Sequence, residues 1–143
     1  MKKLDSLSIF FPFWNEEKNI EKVVTEAVPV AERVANKWEI LIVDDGSSDN
    51  TLEKALNLEK KNPNLRVITH TPNRGYGAAL KEGFENAKYD IVVFTDGDGQ
   101  FDFSEVDKFI EKIDKSDIVI GHRIRRRDNF IRHILMNMLK VWD

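Results

Sequence analysis

The sequence contains no cysteine, which excludes disulfide bonds, thiolate nucleophiles and zinc–thiolate sites. The apolar run after residues 1–5 is too short for a secretory signal peptide. Nowhere do about 18 apolar residues follow one another, so we expect no membrane-spanning helix in this stretch of chain. Glu-Asp and Asp-Glu dipeptides are also absent. What is present is the composition of a globular protein, with 41% hydrophobic and 33% charged residues.

The length of 143 residues is that of one domain, which can bury about two-thirds of its unfolded surface. The net charge of −3 is unevenly distributed. From Gly121 onward there are six Arg or Lys and two Asp, a charge of +4, which leaves −7 on the first 120 residues. A basic tail on an acidic body indicates an anionic partner, either phosphate or a lipid surface. We expect no nucleic-acid partner.

Apolar runs typical of strands alternate with stretches of helical periodicity. The predicted strands are Leu7–Phe11, Glu39–Val43, Leu65–Thr69, residues 91–95 and Asp117–Ile120. The predicted helices follow Asn15 and span Thr51–Lys61, Tyr76–Ala87, Glu105–Lys115 and Asn129 to the end. We expect Pro12 to halt the first strand, Asn15 to cap the first helix and Pro29 to kink or restart it. Ser104 and Asp107 resemble a capping box for the fourth helix. This order predicts an α/β fold, a mostly parallel sheet with helices on both faces.

The most informative stretch is residues 91–100, where an apolar run leads into two carboxylates separated by one glycine. A short apolar run bounded by turn residues predicts a strand buried on both faces. Asp96 and Asp98, with no Cβ between them at Gly97, can turn toward one hard cation, and Gln100 adds a neutral oxygen. We therefore predict an oxygen-ligand cation site formed by Asp96, Asp98 and Gln100.

Other interpretations of this loop are weaker. An EF-hand would need Gly and Glu where Phe101 and Asp107 stand, and it would follow a helix. A phosphatase with an Asp nucleophile would need a paired Lys and Ser or Thr, which have no clear positions here. A receiver domain would need acids where Pro12 and Thr69 stand. A plain turn remains open, because Asp and Gly are ordinary turn residues.

The glycines mark one edge of the predicted sheet. Six of the seven fall just after strands two to five, namely Gly46, Gly75, Gly77, Gly97, Gly99 and Gly121. Glycine permits close backbone approach and positive φ. Open α/β sheets bind ligands at the carboxyl ends of their strands, so we predict a ligand site on that edge.

With these loops assembled, the sequence resembles glycosyltransferase family 2, the inverting nucleotide-sugar enzymes of GT-A fold. Within it, the chain is most similar to the polyprenyl (dolichyl) phosphate mannose or glucose synthases. The matching stretches, in family order, are residues 12–17 (PFWNEE), 43–51 (VDDGSSDNT), 73–80 (NRGYGAAL), 96–100 (DGDGQ) and 121–123 (GHR). The second and third are highly specific together. Gly99 departs from the family, which more often has a bulky apolar residue there.

The resemblance implies roles for individual residues. Those implied to bind the nucleotide sugar are Pro12, Trp14, Glu16, Asp44, Asp45, Arg74, Asp96, Gly97 and Asp98. Asp45, together with Asp44, would accept hydrogen bonds from the base. Asp96, Asp98 and Gln100 would hold Mg²⁺ or Mn²⁺ at the pyrophosphate. Arg123 and Arg132 would neutralise phosphate oxygens, and the implied catalytic residues are Asp96, Asp98 and Arg123.

Several of these assignments have a structural alternative. Trp14 is equally consistent with core packing, and Asp44-Asp45 with a turn and helix cap. Arg74 and Arg123 could be solvated surface residues. The three histidines, His70, His122 and His133, show no metal-ligand spacing, and we interpret them as structural or surface residues.

The implied function is metal-dependent transfer of a hexose from a GDP-mannose- or UDP-glucose-type donor to a polyprenyl phosphate. Many family members deprotonate a sugar hydroxyl with an acid, often in a Glu-Asp pair, whereas a phosphate acceptor is already an anionic nucleophile. The missing acid pair therefore favours a phosphate acceptor, although a truncated chain would also lack it. Two alternatives stay open, namely a family 2 transferase with a saccharide acceptor and a nucleotide-sugar-binding fragment without turnover.

The domain division follows from the charge pattern. We predict a nucleotide-sugar-binding domain at 1–124 and a basic amphipathic helix at 125–143. This helix fits an interfacial position on an anionic membrane surface, or packing on the sheet or on a further segment. The expected location is cytoplasmic, peripheral at the inner face of the membrane, with an oligomer or a membrane-spanning partner as further options.

Overall fold

The computed structural model describes residues 3–121. Its strands are β1 (Leu4–Phe13), β2 (Ala35–Asp44), β3 (Leu65–Thr69) and β4 (Val92–Phe94). Its helices are α1 (Ile20–Val34), α2 (Thr51–Lys61), α3 (Tyr76–Asn86) and α4 (Val106–Ile113), with a 3₁₀ turn at Phe103–Glu105. All paired strands run parallel, in the order β3-β2-β1-β4. The predicted α/β fold with a parallel sheet is confirmed.

Strands β1 and β2 form the centre of the core. They pair from Leu4 opposite Ala35 to Phe13 opposite Asp44, and the residues from Leu7 to Phe13 are buried. Leu7 and Phe11 belong to the apolar cluster that includes the buried face of α1. Phe10 belongs to a second cluster that includes Ala79 of α3. Because helices cover both faces, these strands are apolar at consecutive positions instead of alternate ones.

The connection from β1 into α1 differs from the prediction at three points. Pro12 does not halt β1, since it pairs with Val43 of β2. Strand β4 ends opposite Phe10, so the missing N–H of Pro12 falls beyond the β4 pairing. The Asn15 cap is wrong, because Asn19 holds the N-cap position of α1. The helix then runs through Pro29 to Val34 without a restart.

Strand β4 is shorter than the strand predicted at residues 91–95, and it is not buried on both faces as predicted. Val92 and Val93 are half-buried, and the Phe94 side chain is 41% exposed. The predicted fifth strand, Asp117–Ile120, is wrong, because these residues are not in a strand. Ile118 and Ile120 are 76% and 84% exposed. Among the described residues no strand lies beyond β4, which explains why neither stretch reaches the expected burial.

Two further details concern the helices. Helix α4 is shorter than predicted, and the Ser104–Asp107 capping box is wrong. Glu105 holds the N-cap position of α4 and makes no capping hydrogen bond with its side chain. Asp102 instead caps the 3₁₀ turn before α4, since its Oδ1 accepts a 3.0 Å hydrogen bond from Ser104 N. In α3, Gly83 packs against β1, where an added Cβ would lie 2.4 Å from the Phe10 ring.

Among residues 3–121, no helix combines the length and apolar character needed to cross a bilayer. Arg123, Arg132 and the predicted helix at 125–143 lie outside the described residues. Their predicted roles therefore stay predictions.

Candidate functional site

The carboxyl edge of the sheet gathers the loops that follow β1, β2 and β3. The backbone N–H of Asp45 donates to Phe13 O over 2.9 Å. Asn15, at a φ of 52°, accepts a 2.8 Å hydrogen bond from Ser48 N on its side-chain oxygen. Gly46 has a φ of 68°, and a Cβ there would lie 2.6 Å from Asn73 N, so only glycine fits this close approach. The loops therefore form one connected surface.

A pocket of about 290 Å³ opens on this surface. Its lining consists of Pro12, Phe13, Trp14, Asp45, Asn73, Gly75, Tyr76 and Ala79. Three of the predicted nucleotide-binding residues, Pro12, Trp14 and Asp45, are thereby brought together. Trp14 is 57% exposed and Tyr76 55% exposed, so neither aromatic ring is buried in the core. Exposed aromatic rings beside a pocket offer flat faces on which a planar ring can stack.

Asp45 is held in place by the loop that follows β3. Its Oδ1 accepts a 2.8 Å hydrogen bond from Arg74 N and lies 2.8 Å from His70 Nδ1. Its backbone carbonyl accepts from the Asn73 side chain, also over 2.8 Å. The Asp45 carboxylate is 5% exposed. It therefore faces the pocket with little freedom to turn.

Asp44 lies deeper than Asp45. It is fully buried, and its Oδ2 accepts a 2.9 Å hydrogen bond from Thr69 Oγ1 on β3. The same oxygen lies 3.4 Å from Ser47 N, which ties the loop after β2 to the strand end. Asp44 Oδ1 is buried without a hydrogen-bond partner among residues 3–121. The structure places Asp44 beneath the loop rather than on the pocket surface.

The carboxylate loop, residues 96–100 after β4, contacts two of the residues that line the pocket. The Tyr76 hydroxyl donates a 2.7 Å hydrogen bond to Asp96 Oδ1. Gly97 is packed against Phe13, since a Cβ at Gly97 would lie 2.3 Å from that ring. Asp98 Oδ1 accepts a 2.9 Å hydrogen bond from Gln100 N. The loop and the pocket are thus parts of one site.

Burial and the Asp96 contact change the acidity of Tyr76. Desolvation, the hydrogen bond to Asp96 and the nearby charges of Asp96 and Asp98 raise the pKa of Tyr76 to about 12. Each of these effects disfavours the phenolate. Tyr76 therefore stays a hydrogen-bond donor to Asp96 throughout the physiological pH range.

The described residues contain no cluster of three or more His, Asp or Glu side chains arranged to hold a metal ion. Asp96 and Asp98 are two of the three predicted cation ligands, with Gln100 as the third, and one glycine separates the two acids in the loop beside the pocket. Asp96 is exposed and Asp98 partly exposed, so a ligand can approach both. Two carboxylates suit a divalent cation that takes its other ligands from a bound phosphate and water.

Two predicted residues are less directly involved. The Glu16 side chain accepts a 2.7 Å hydrogen bond from Asn19 at the start of α1, and Glu16 does not line the described pocket. The Arg74 side chain is 58% exposed, with Nη1 3.8 Å from Glu82 Oε1. The observed contact of Arg74 with the pocket is the hydrogen bond from its backbone N–H to Asp45.

Sequence reasoning missed Tyr76 and His70 as members of the site. Tyr76 lies in the NRGYG stretch, which is part of the family resemblance, so the sequence does contain a signal that this tyrosine is near the site. His70 directly follows β3, and a lone histidine there carries no ligand pattern. Its place beside Asp45 emerges only from the parallel pairing of β2 and β3, which sets Asp44 opposite Thr69.

A family model for glycosyl transferase family 2 matches residues 8–138. The chain belongs to this family. Among curated relatives, the dolichyl-phosphate beta-glucosyltransferase of Saccharomyces cerevisiae is 38% identical over 115 residues, or 76% of this chain and 34% of the relative. The undecaprenyl-phosphate 4-deoxy-4-formamido-L-arabinose transferase of Proteus mirabilis is 31% identical over 146 residues, or 98% of this chain and 44% of the relative. This family 2 chain thus spans less than half the length of either relative.

Solved structures agree with the GT-A fold. The mannosyltransferase PcManGT from Pyrobaculum calidifontis, solved with GDP-Man and Mn²⁺, aligns with a TM-score of 0.62 and 25% identity, over 73% of this chain and 30% of its own. Glucosyl-3-phosphoglycerate synthase from Mycobacterium tuberculosis, solved with Mn²⁺, UDP and glucosyl-3-phosphoglycerate, aligns with a TM-score of 0.53 and 28% identity, over 65% and 33%. The predicted family and fold are confirmed.

Proposed function

We propose that this chain is the donor-binding part of a metal-dependent, inverting glycosyltransferase that moves a hexose from a nucleoside-diphosphate sugar to a polyprenyl phosphate. One observation carries the proposal. The pocket lined by Trp14, Asp45 and Tyr76 is joined directly to the carboxylate loop, because Tyr76 bonds Asp96. A pocket lined by aromatic rings beside paired acids suits a ligand that has a planar ring at one end and phosphates at the other.

The pocket supplies the two kinds of contact that a nucleobase needs. Trp14 and Tyr76 present exposed aromatic rings for stacking. Asp45 presents a fixed carboxylate that accepts a hydrogen bond from a ring N–H. Uracil and guanine both carry such an N–H, which agrees with a UDP- or GDP-linked donor. Pro12 contributes apolar wall between the strand end and Trp14.

Asp96 and Asp98 are the residues that would hold Mg²⁺ or Mn²⁺. The bound cation would neutralise the pyrophosphate charge as the nucleoside diphosphate departs from the anomeric carbon. Tyr76 orients Asp96, and Gln100 N orients Asp98. Gly97 lets the loop lie against Phe13, which keeps both acids beside the pocket. Arg123 and Arg132, outside the described residues, are proposed to add positive charge at the phosphates.

The acceptor is proposed from chemistry and from the relatives. A polyprenyl phosphate oxygen is already anionic, so its attack on the anomeric carbon needs no protein base. The two relatives described above are named for transfer to dolichyl phosphate and undecaprenyl phosphate.

We further propose that residues 125–143 approach an anionic membrane surface. Arg125, Arg126 and Arg127 precede an apolar pattern that recurs at helical spacing. A polyprenyl phosphate stays in the bilayer, so a basic interfacial segment would bring the donor site to its acceptor. Vesicle co-sedimentation tests this: binding of the full chain should rise with anionic lipid and fall with salt. Salt-insensitive partitioning, or none at low salt, would exclude an interfacial helix.

A second candidate function is donor binding without turnover, which the same pocket and acids would support. Incubation of the chain with Mn²⁺, a radiolabelled UDP- or GDP-hexose and a short polyprenyl phosphate separates the two. Labelled lipid product supports the transferase. Mn²⁺-dependent binding of the nucleotide sugar without product supports the binding fragment, and absence of binding contradicts both.

A further inference from the structure

The buried His70 has a position that core packing alone does not explain. His70 directly follows β3 and is 6% exposed as a whole residue. Its backbone N–H donates a 3.2 Å hydrogen bond to Asp44 O. The ring nitrogen Nδ1 lies 2.8 Å from Asp45 Oδ1, and both side chains are at most 5% exposed. Neither ring nitrogen makes an aligned hydrogen bond with the described residues. Burying a polar ring in this way is costly unless the ring has a partner.

The charged group in close contact with this ring is the Asp45 carboxylate, which lines the donor pocket. Two nitrogens lie 2.8 Å from Oδ1 of Asp45, namely the backbone N of Arg74 and the ring Nδ1 of His70. Two groups close to one oxygen restrict the rotation of the carboxylate, which lines the pocket. A pre-oriented acceptor binds more tightly than one that must be ordered on binding.

We propose that His70 is a positioning residue, which holds Asp45 in the orientation that reads a nucleobase N–H and so sets the base preference of the donor site. This inference rests on the proposed function, because it assumes that the pocket binds a nucleobase. The chemistry predicts the preference. Uracil N3 and guanine N1 carry hydrogens, whereas cytosine N3 and adenine N1 are acceptors that a carboxylate repels. If Asp45 is no longer held in this orientation, the site should bind uracil and guanine nucleotides more weakly and should discriminate less against those of cytosine and adenine.

The test uses three substitutions at one position. In His70→Asn the amide nitrogen can stand close to the place of Nδ1, whereas in His70→Gln it stands closer to that of Nε2. His70→Leu keeps the volume but has no polar group. Each variant is titrated with UDP and CDP, and with GDP and ADP, in the presence of Mn²⁺. Thermal unfolding reports on the fold separately.

If His70 positions Asp45, the Leu and Gln variants should bind the preferred nucleotide about tenfold more weakly, the size of one lost polar contact to a charged group. Their UDP-to-CDP or GDP-to-ADP preference should fall with it, and His70→Asn should restore much of both. A double-mutant cycle adds a second readout: in an Asp45→Ala background, His70→Leu should change nucleotide affinity no further.

The outcomes separate the inference from the proposed function. A parent chain that binds none of the four nucleotides contradicts both. A parent that binds nucleotides, with the same base preference in all three variants, leaves the proposed function standing and overturns the role of His70. If the Leu variant fails to fold, the comparison of the Asn and Gln variants still decides the matter.

Discussion

The Tyr76 hydroxyl and Asp96 Oδ1 are 2.7 Å apart, and this hydrogen bond joins the start of α3 to the carboxylate loop after β4. The same tyrosine lines the pocket. A ligand that contacts the Tyr76 ring would therefore also affect the orientation of a cation ligand. Donor binding and cation binding should be coupled through this pair.

The first prediction concerns that coupling. Tyr76→Phe keeps the ring and removes the hydrogen bond to Asp96, so nucleotide binding without metal should change little. The gain in nucleotide affinity on adding Mn²⁺ should fall by about tenfold, as expected for one lost hydrogen bond to a charged group. Isothermal titration with and without Mn²⁺ measures this, with Tyr89→Phe as the matched control. An unchanged Mn²⁺ effect in Tyr76→Phe would contradict the coupling.

The second prediction concerns Trp14, which is 57% exposed beside the pocket. Trp14→Ala should weaken nucleotide binding by about 1–3 kcal/mol, the range for base–aromatic stacking, and leave the unfolding temperature nearly unchanged. Trp14→Phe should retain part of the affinity. Loss of stability with unchanged affinity would instead indicate that Trp14 is a packing residue.

The third prediction is a pH dependence of stability that originates at Glu39, far from the pocket. Burial opposes the charge of Glu39, but hydrogen bonds from Ser8, Lys88 N and Arg66 outweigh it and lower the pKa of this carboxyl below 4.5. A lowered pKa means that the unfolded chain takes up the proton first. The stabilisation is therefore fully present above about pH 4.5 and is lost as the pH falls below it.

The measurement is the free energy of unfolding of Glu39→Gln and of Glu53→Gln, an exposed control on α2, from pH 3 to pH 7. At pH 7, Glu39→Gln should cost about 1–3 kcal/mol, since a buried hydrogen-bond network loses its charged acceptor. Its deficit relative to the parent should shrink on acidification. A deficit that is constant with pH would show that the Glu39 charge does not contribute.

Two glycines of α3 give the fourth prediction. Gly83→Ala should destabilise the fold by about 1–3 kcal/mol, because the added Cβ would lie 2.4 Å from the Phe10 ring. Gly77→Ala meets no atom within 4 Å and should stabilise the helix by up to about 1 kcal/mol. Urea unfolding of the two variants checks the opposite signs. Equal effects would mean that α3 does not pack closely on β1.

The agreement between sequence and structure is best where the chain's own pattern determines the result. The bounds predicted for α2 and β3 are those observed, because helix periodicity and a turn-bounded apolar run are local signals. The residues Pro12, Trp14 and Asp45 were predicted to bind one ligand, and the structure brings them to one pocket. The parallel sheet alone requires that these strand ends meet.

The disagreements arise where burial depends on distant residues. The apolar run at residues 91–95 is consistent with a central or an edge strand, and only the neighbouring strands decide between them. Asp117–Ile120 has strand composition, but composition does not supply a pairing partner. The contact of His70 with Asp45 cannot be predicted from the sequence, because it depends on the register between β2 and β3.

Asp98→Ala decides whether the carboxylate loop and the pocket form one metal-dependent nucleotide site. UDP and GDP are titrated into the parent, into Asp98→Ala and into Asp90→Ala, an exposed acid just before β4, each with and without Mn²⁺. We expect Mn²⁺ to strengthen nucleotide binding in the parent and in Asp90→Ala but not in Asp98→Ala, with all three chains folded. The same Mn²⁺-dependent affinity in Asp98→Ala as in the parent would contradict this expectation.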